Sequence, residues 1–87
     1  SDVDLAGKDL SGTNLSGADL SNVILTGSEL TGTDLSNAIL AGADLTGVDL
    51  GETNLTEADL TGSDLTKTIL TGSLLSRANL AGTRPLD

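Results

Sequence analysis

The chain of 87 residues contains no aromatic residue, no methionine, no cysteine and no histidine, and its only proline is Pro85. Without cysteine no disulfide can form, so the sequence leaves the redox compartment open. Without histidine and cysteine, common nucleophiles, proton-transfer groups and transition-metal ligands are missing. The core must therefore be built from leucine, isoleucine, valine, alanine and the methyl group of threonine, and the composition argues against an enzyme.

Basic residues are also scarce, with 4 Lys or Arg against 13 Asp or Glu and a net charge of -9. Affinity for phosphate groups comes mainly from Lys and Arg, so direct binding to nucleic acid or to an anionic membrane is disfavoured. No apolar stretch has the length of a transmembrane span or of a signal-peptide core. We expect a soluble protein whose localisation is unknown. The first residue, Ser1, is expected of a processed chain or of a segment of a longer one.

Leucine recurs at every fifth residue from Leu5 to Leu80. On an α-helix such leucines would be roughly 140° apart, and on one continuous strand they would alternate between the two faces. The chain must therefore change direction once in every unit. In a short extended segment, the residue two before each leucine shares its face, and the residue between them points the other way. The first position is mostly small or β-branched and the second mostly Asp, Asn or Glu, which predicts an apolar interior and an acidic exterior.

The two residues after each leucine mark the turn. The first is usually Ser or Thr, and the second is usually glycine, with Asn22 and Asn37 at two further corners. Glycine and asparagine tolerate a positive φ, so a tight corner is expected there. The remaining four corners hold charged residues and predict a different turn geometry: Glu52, Glu57, Lys67 and Arg77. Units of this kind wind into a parallel β-solenoid with about 4.8 Å between coils, and the residues leave the number of sides open.

Four units match the A(D/N)LXX pattern closely: Ala18-Asp19-Leu20, Ala43-Asp44-Leu45, Ala58-Asp59-Leu60 and Ala78-Asn79-Leu80. Through them the chain resembles the pentapeptide-repeat proteins. The resemblance implies an all-β fold, a right-handed quadrilateral parallel β-helix of about four coils with four pentapeptides each. It implies a single domain over 1–87, with repeats at 3–82 and a short C-terminal end segment at 83–87.

Three residues near the ends depart from the pattern. Lys8 occupies an inward position, where the open first coil would let its stem run out to water. Pro85 replaces the expected leucine and displaces Leu86, and because proline has no N–H, it is expected to stop the ladder. Terminal repeats of a solenoid normally need a cap, and neither end carries an obvious one. We therefore expect a partner copy to cover an end, as in a homodimer, or the chain to continue in a longer protein.

Four outward positions are apolar instead of acidic: Ile24, Ile39, Ile69 and Leu74. Isolated exposed apolar side chains are ordinary on protein surfaces. In a four-sided coil, however, Ile24 and Ile39 would lie on adjoining sides, and Ile69 and Leu74 on either side of one corner. The alternatives are surface variation without a role and a contact surface, for which Ile69 and Leu74 are the better candidates.

The sequence favours a non-catalytic structural or protein-interaction module that presents rigid acidic faces, because solenoids act mostly through their surfaces. The carboxylates are predicted to be outward and solvated without a shifted pKa, so no catalytic residue, cofactor or metal site is expected. The alternative, which the resemblance permits, is a DNA mimic that binds a DNA-binding protein such as DNA gyrase. Thr26, Thr46 and Thr66, at intervals of twenty residues, leave ice binding open, although the neighbouring Asp residues oppose it.

Overall fold

A computed structural model describes residues 3–84, in which all β structure consists of single-residue parallel bridges. Within that range no longer strand and no helix occurs. The bridges begin with Asp4↔Ile24 and end with Asp64↔Arg84, and each joins residues 20 positions apart. Four successive pentapeptides therefore bring the chain back to the same side, one turn further along. The predicted parallel solenoid is confirmed, and its sides number four.

Three backbone hydrogen bonds per pentapeptide join neighbouring turns. In a central unit, the Leu45 N–H donates to the Asp64 carbonyl at 2.9 Å and the Gly47 N–H to the Thr66 carbonyl at 3.0 Å. In the other direction, the Asp64 N–H donates to the Ala43 carbonyl at 2.9 Å. On each side of the coil, the bridge contributes two backbone hydrogen bonds between neighbouring turns and the corner residue contributes a third.

The leucines fill the axis of the solenoid. Those from Leu25 to Leu65 are at most 5% exposed, whereas Leu5, Leu10, Leu15, Leu20, Leu70 and Leu75 are half-buried and Leu80 is 40% exposed. This gradient follows from stacking, since a leucine is covered only when turns lie on both sides of it. The apolar interior predicted from the five-residue period is confirmed.

The second inward position holds small residues, several of them polar. The hydroxyls of Thr33 and Thr53 donate to the carbonyls of Leu30 and Leu50, each at 2.8 Å, and so are satisfied inside the core. The buried hydroxyls of Ser28 and Ser63 have no hydrogen-bond partner among residues 3–84. Lys8 is exposed, as expected for an inward position in an open first turn.

The corners share one backbone conformation. Every fifth residue from Gly7 to Gly82 has a positive φ, between 56° and 74°. The prediction that charged residues would impose a different turn geometry is wrong, because Glu52, Glu57, Lys67 and Arg77 hold φ at 56–60°. The bridged residues before and after each corner fix its backbone conformation. A residue with a Cβ at the corner must therefore adopt the left-handed conformation that glycine adopts without strain.

The solenoid measures 26 × 26 × 24 Å, so it is as wide as it is long. Its shape is a short square block whose two ends expose the axial leucines. Pro85 and Leu86, which the sequence assigns to the end of the ladder, lie outside the described residues.

Candidate interaction surface

Most outward Asp and Asn side chains close the corner that follows them. Oδ1 of Asp64 accepts a hydrogen bond from the Thr66 N–H at 3.0 Å and from the Thr66 hydroxyl at 2.6 Å. Asn54 accepts the same two bonds from Thr56, at 3.1 and 2.6 Å. Such Asx turns explain why Ser or Thr follows most of the leucines, since it supplies both donors. These acidic side chains are part of the fold as well as of the surface.

These hydrogen bonds lower the pKa of the Asp carboxyls. The pKa lies below its ordinary value of 3.8 at six residues because the hydroxyl two positions later donates to the carboxylate, with the backbone N–H as the second cause: Asp9, Asp19, Asp34, Asp44, Asp59 and Asp64. The prediction of unshifted, simply solvated carboxylates is therefore wrong. The direction of the shift keeps these groups ionised at neutral pH, with no proton to donate.

The bridges stack the outward residues into four columns, which we call faces A to D. Face A holds Asp4, Ile24, Asp44, Asp64 and Arg84; face B holds Asp9, Glu29, Asp49 and Ile69; face C holds Asn14, Asp34, Asn54 and Leu74; face D holds Asp19, Ile39, Asp59 and Asn79. Each face thus carries one apolar residue among its polar ones. Face B has the longest unbroken acidic run, and no face is acidic along the whole described length.

The four apolar candidates are all exposed, but they do not form one patch. Ile24 and Ile39 are 37% and 39% exposed, on faces A and D. Ile69 and Leu74 are 49% and 57% exposed, on faces B and C, and the chain between them makes one corner, at Gly72. The structure therefore separates the two pairs along the axis and places the more exposed pair in the last described turn.

Three of the four basic residues, Lys67, Arg77 and Arg84, lie in that same turn, which the sequence reasoning missed. Lys67 and Arg77 occupy corners next to Ile69 and Leu74, and no acidic residue lies between Asp64 and Asp87. We call Lys67, Ile69, Leu74 and Arg77 the basic-apolar band. A count of charges in successive windows of twenty residues, the coil length that the family resemblance implies, would have found it.

Two ion pairs connect this turn to the previous one. Nη1 of Arg77 lies 3.3 Å from Oε2 of Glu57, and Nε of Arg84 lies 3.9 Å from Oδ2 of Asp64. The Arg side chains remain 82% and 75% exposed. Exposed pairs of this kind are weak, so both guanidinium groups stay available to a partner.

The threonine column proposed for ice binding is engaged within the fold. The hydroxyls of Thr46 and Thr66 donate to Oδ1 of Asp44 and Asp64, at 2.7 and 2.6 Å. Each of these hydroxyls is therefore held against a carboxylate.

Between residues 3 and 84 there is no pocket and no cluster of His, Cys, Asp and Glu able to hold a metal ion. The same residues include no helix long and apolar enough to cross a membrane.

The tandem five-residue units of this chain match the model of a known family. The model of pentapeptide repeats, in 8 copies, matches residues 1–37, 38–77 and 53–84. The chain belongs to the pentapeptide repeat family. A comparison of this pentapeptide repeat chain with curated proteins finds no match.

Solved structures agree with this assignment. A pentapeptide repeat protein from the cyanobacterium Cyanothece 51142 is 37% identical over 93% of this chain and 58% of its own, with a TM-score of 0.67. HetL from the cyanobacterium Nostoc sp. strain PCC 7120, a protein involved in heterocyst differentiation regulation, is 35% identical over 92% of this chain and 39% of its own, with a TM-score of 0.54. The chain therefore spans 58% and 39% of the length of these two proteins.

A more distant likeness exists to full-length QnrB1, a plasmid-mediated fluoroquinolone resistance protein. It is 15% identical over 94% of this chain and 58% of its own, with a TM-score of 0.57. At that identity the likeness concerns the fold alone. These solved proteins are right-handed quadrilateral β-helices, and this pentapeptide repeat chain shares their fold.

Proposed function

We propose that the chain is a non-catalytic interaction module. Residues 1–87 act as one domain of about four coils with four pentapeptides each, with the repeats at 3–82 and a short C-terminal end segment at 83–87. The dense backbone ladder makes the module rigid, so side chains on its faces hold fixed spacings. The observation that carries the proposal is the basic-apolar band of Lys67, Ile69, Leu74 and Arg77 in an otherwise acidic molecule.

The chemistry of the band determines the partner it fits. Ile69 and Leu74 offer about half of their surfaces to solvent, and a bound apolar side chain would remove that surface from water. Lys67 and Arg77 flank them with positive charge, so acidic residues beside the apolar contact would be attracted. We infer that the band binds a protein segment that carries apolar and acidic side chains together.

The outer carboxylates fit a structural role better than a catalytic one. Catalysis by a general acid needs a carboxyl that retains its proton near neutral pH. The six perturbed Asp residues have their pKa lowered by the Asx turns, which favours the ionised form. We therefore interpret these groups as corner-closing and solubilising residues.

A DNA mimic for a protein such as DNA gyrase has less support. Each face is interrupted by one apolar residue, the last described turn is basic, and the block is no longer than it is wide. The likeness to QnrB1 adds only the fold. A supercoiling assay at high concentrations of the chain tests this alternative, and inhibition of gyrase would restore it.

The band is tested with two labelled amphipathic peptides, one of leucine and glutamate and one of leucine and lysine. We expect the acidic peptide to bind the wild-type chain and to lose at least tenfold in affinity on Ile69→Asp/Leu74→Asp. The matched control is Ile24→Asp/Ile39→Asp, which makes the same change at exposed positions outside the band and should bind as the wild type does. Equal binding of both peptides, or equal loss in both variants, would contradict the proposal.

A further inference from the structure

The basic-apolar band bends around a corner of the coil. Its members follow one another in the order Lys67, Ile69, Leu74 and Arg77, and the corner residue Gly72 lies between the two apolar members. Ile69 belongs to face B and Leu74 to face C, which are adjoining sides of the coil. A flat protein surface that is laid against one of these faces therefore cannot cover the other.

The turn that precedes the band places three acidic residues beside it. Asp49 is the bridge partner of Ile69, and Glu52 and Glu57 occupy the corners at the two ends of face C. Two of the three carboxylates are already engaged, since that of Asp49 closes its own corner and that of Glu57 is paired with Arg77. Glu52 is exposed and takes part in neither ion pair of residues 3–84. Its charge is thus the one that a partner of the band would meet.

The Glu52 side chain lies over the middle of the band. Its backbone N–H donates to the Thr71 carbonyl at 2.9 Å, which holds Glu52 against the corner of the following turn. A Cβ placed on Gly72 would lie 3.3 Å from Cγ of Glu52, so the stem of this side chain runs over Gly72. Gly72 separates Ile69 from Leu74. Around the coil, the surface therefore follows the order positive, apolar, negative, apolar, positive.

A segment that binds along this surface needs the complementary order. Acidic residues in it would face Lys67 and Arg77, and a basic residue would face Glu52. Apolar residues would cover Ile69 and Leu74 and remove their exposed surface from water. An extended segment, unlike a flat folded surface, can also bend around the corner.

We propose, on the basis of the binding role already proposed for the band, that its partner is a single extended segment with the order acidic, apolar, basic, apolar, acidic. Glu52 is the residue that determines the choice of the central side chain. The order is the same in both directions, so it holds whichever way the segment runs around the coil.

Labelled peptides that differ only at the central position test this specificity. Each carries two leucines about six residues apart, because the five-residue path from Ile69 to Leu74 spans at most about 18 Å. Glycine and serine fill the space around a central Lys, Gln or Glu, and one Glu lies outside each leucine. We expect the wild-type chain to bind the Lys-centred peptide about fivefold or more tightly than the Glu-centred peptide at about 0.05 M salt, with the Gln-centred peptide between them.

Substitutions at Glu52 identify the residue responsible for the preference. Glu52→Gln should lower the ratio of the two affinities about threefold or more, and Glu52→Lys should reverse the preference. Lysine is tolerated at a corner of this kind, since Lys67 holds φ at 59°. Glu29→Gln is the matched control, because it removes the same charge from an exposed position of face B two turns before Ile69. It should leave the ratio unchanged.

A peptide in which serine replaces one leucine tests the bend around the corner. It can cover only one of the two faces and should bind about tenfold or more weakly than the parent peptide. Equal binding of the two peptides would contradict a partner that spans both faces.

Failure of the specificity and failure of the binding role give different results. Binding that is lost on Ile69→Asp/Leu74→Asp but shows no preference for the central residue would overturn the role of Glu52 and leave the band as a binding surface. A preference that Glu29→Gln lowers as much as Glu52→Gln does would have the same meaning. Absence of binding by every peptide would overturn both proposals. Thermal unfolding verifies that each variant is folded.

Discussion

Arg77 donates a hydrogen bond to Glu57 at 3.3 Å. The two residues occupy the same corner in successive turns, and both hold φ at 60°. An exposed pair of this kind contributes about 0–1 kcal/mol. The left-handed backbone of a residue with a Cβ costs roughly 1–2 kcal/mol. The free-energy cost of the left-handed corner therefore exceeds the stabilisation that the ion pair contributes. Substitutions at the charged corners can thus stabilise the fold.

Lys67→Gly tests the corner strain at a position without an ion pair among the described residues. We expect the free energy of unfolding to rise by up to about 1 kcal/mol, because the relief of strain exceeds the added freedom of glycine in the unfolded chain. Urea titration measures the change. Lys67→Ala is the control, which keeps the strained φ and should leave stability nearly unchanged. Equal stabilisation by both variants would point to the lost charge as the cause.

Truncation of leucines should follow the burial gradient. Leu45→Ala removes a fully buried side chain and is expected to cost about 2–5 kcal/mol. Leu80→Ala is the matched change at the end, where 40% exposure leaves less to lose, and should cost less than half as much. Thermal and urea unfolding compare the two. Similar losses would mean that the C-terminal end is covered under the conditions of the measurement.

The buried hydroxyls should divide into two classes. Ser63→Ala removes an unpartnered hydroxyl and is expected to leave stability unchanged or to raise it by up to about 1 kcal/mol. Thr53→Val removes a hydroxyl that donates to the Leu50 carbonyl, and the loss of this hydrogen bond should cost about 0.5–1.5 kcal/mol. The cost stays within that range because the Leu50 carbonyl still accepts a hydrogen bond from the Thr53 N–H. Chemical denaturation of the two variants tests the contrast. A larger loss for Ser63→Ala would refute it.

Stability should decrease in acid. The pKa of the corner-closing Asp residues is lower in the folded chain than the ordinary value of 3.8, so folding favours their ionised form. This contribution is fully present at pH values above 3.8 and is lost as the pH falls through 3.8 toward the lowered folded pKa. The melting temperature at about pH 6 and about pH 3 measures the loss.

A neutral variant gives the control for this pH dependence. Asn54 makes the same two hydrogen bonds as Asp64, so asparagine can close the corner without titrating. The quadruple change of Asp34, Asp44, Asp59 and Asp64 to asparagine should flatten the dependence of the melting temperature on pH. An unchanged acid loss would attribute the effect to other groups.

Much of the candidate surface could be read from the sequence, because an apolar residue in the outward slot of a regular repeat is visible as a departure. Ile69 and Leu74 were identified in that way. Their basic neighbours were missed because Lys67 and Arg77 occupy corner positions, which the sequence analysis considered for their backbone conformation and not for their charge. The positive φ of Glu52 was also missed. Side-chain type predicts a turn conformation only where neighbouring turns do not already fix the backbone.

The sequence by itself determined the class of fold. A period of five fits neither a helix nor a strand, so it required a corner in each unit and an inward leucine beside it. The tertiary structure decided the rest, because stacking is a relation between residues 20 apart. It imposes positive φ on charged corners and covers the central leucines more completely than those of the first and last described turns.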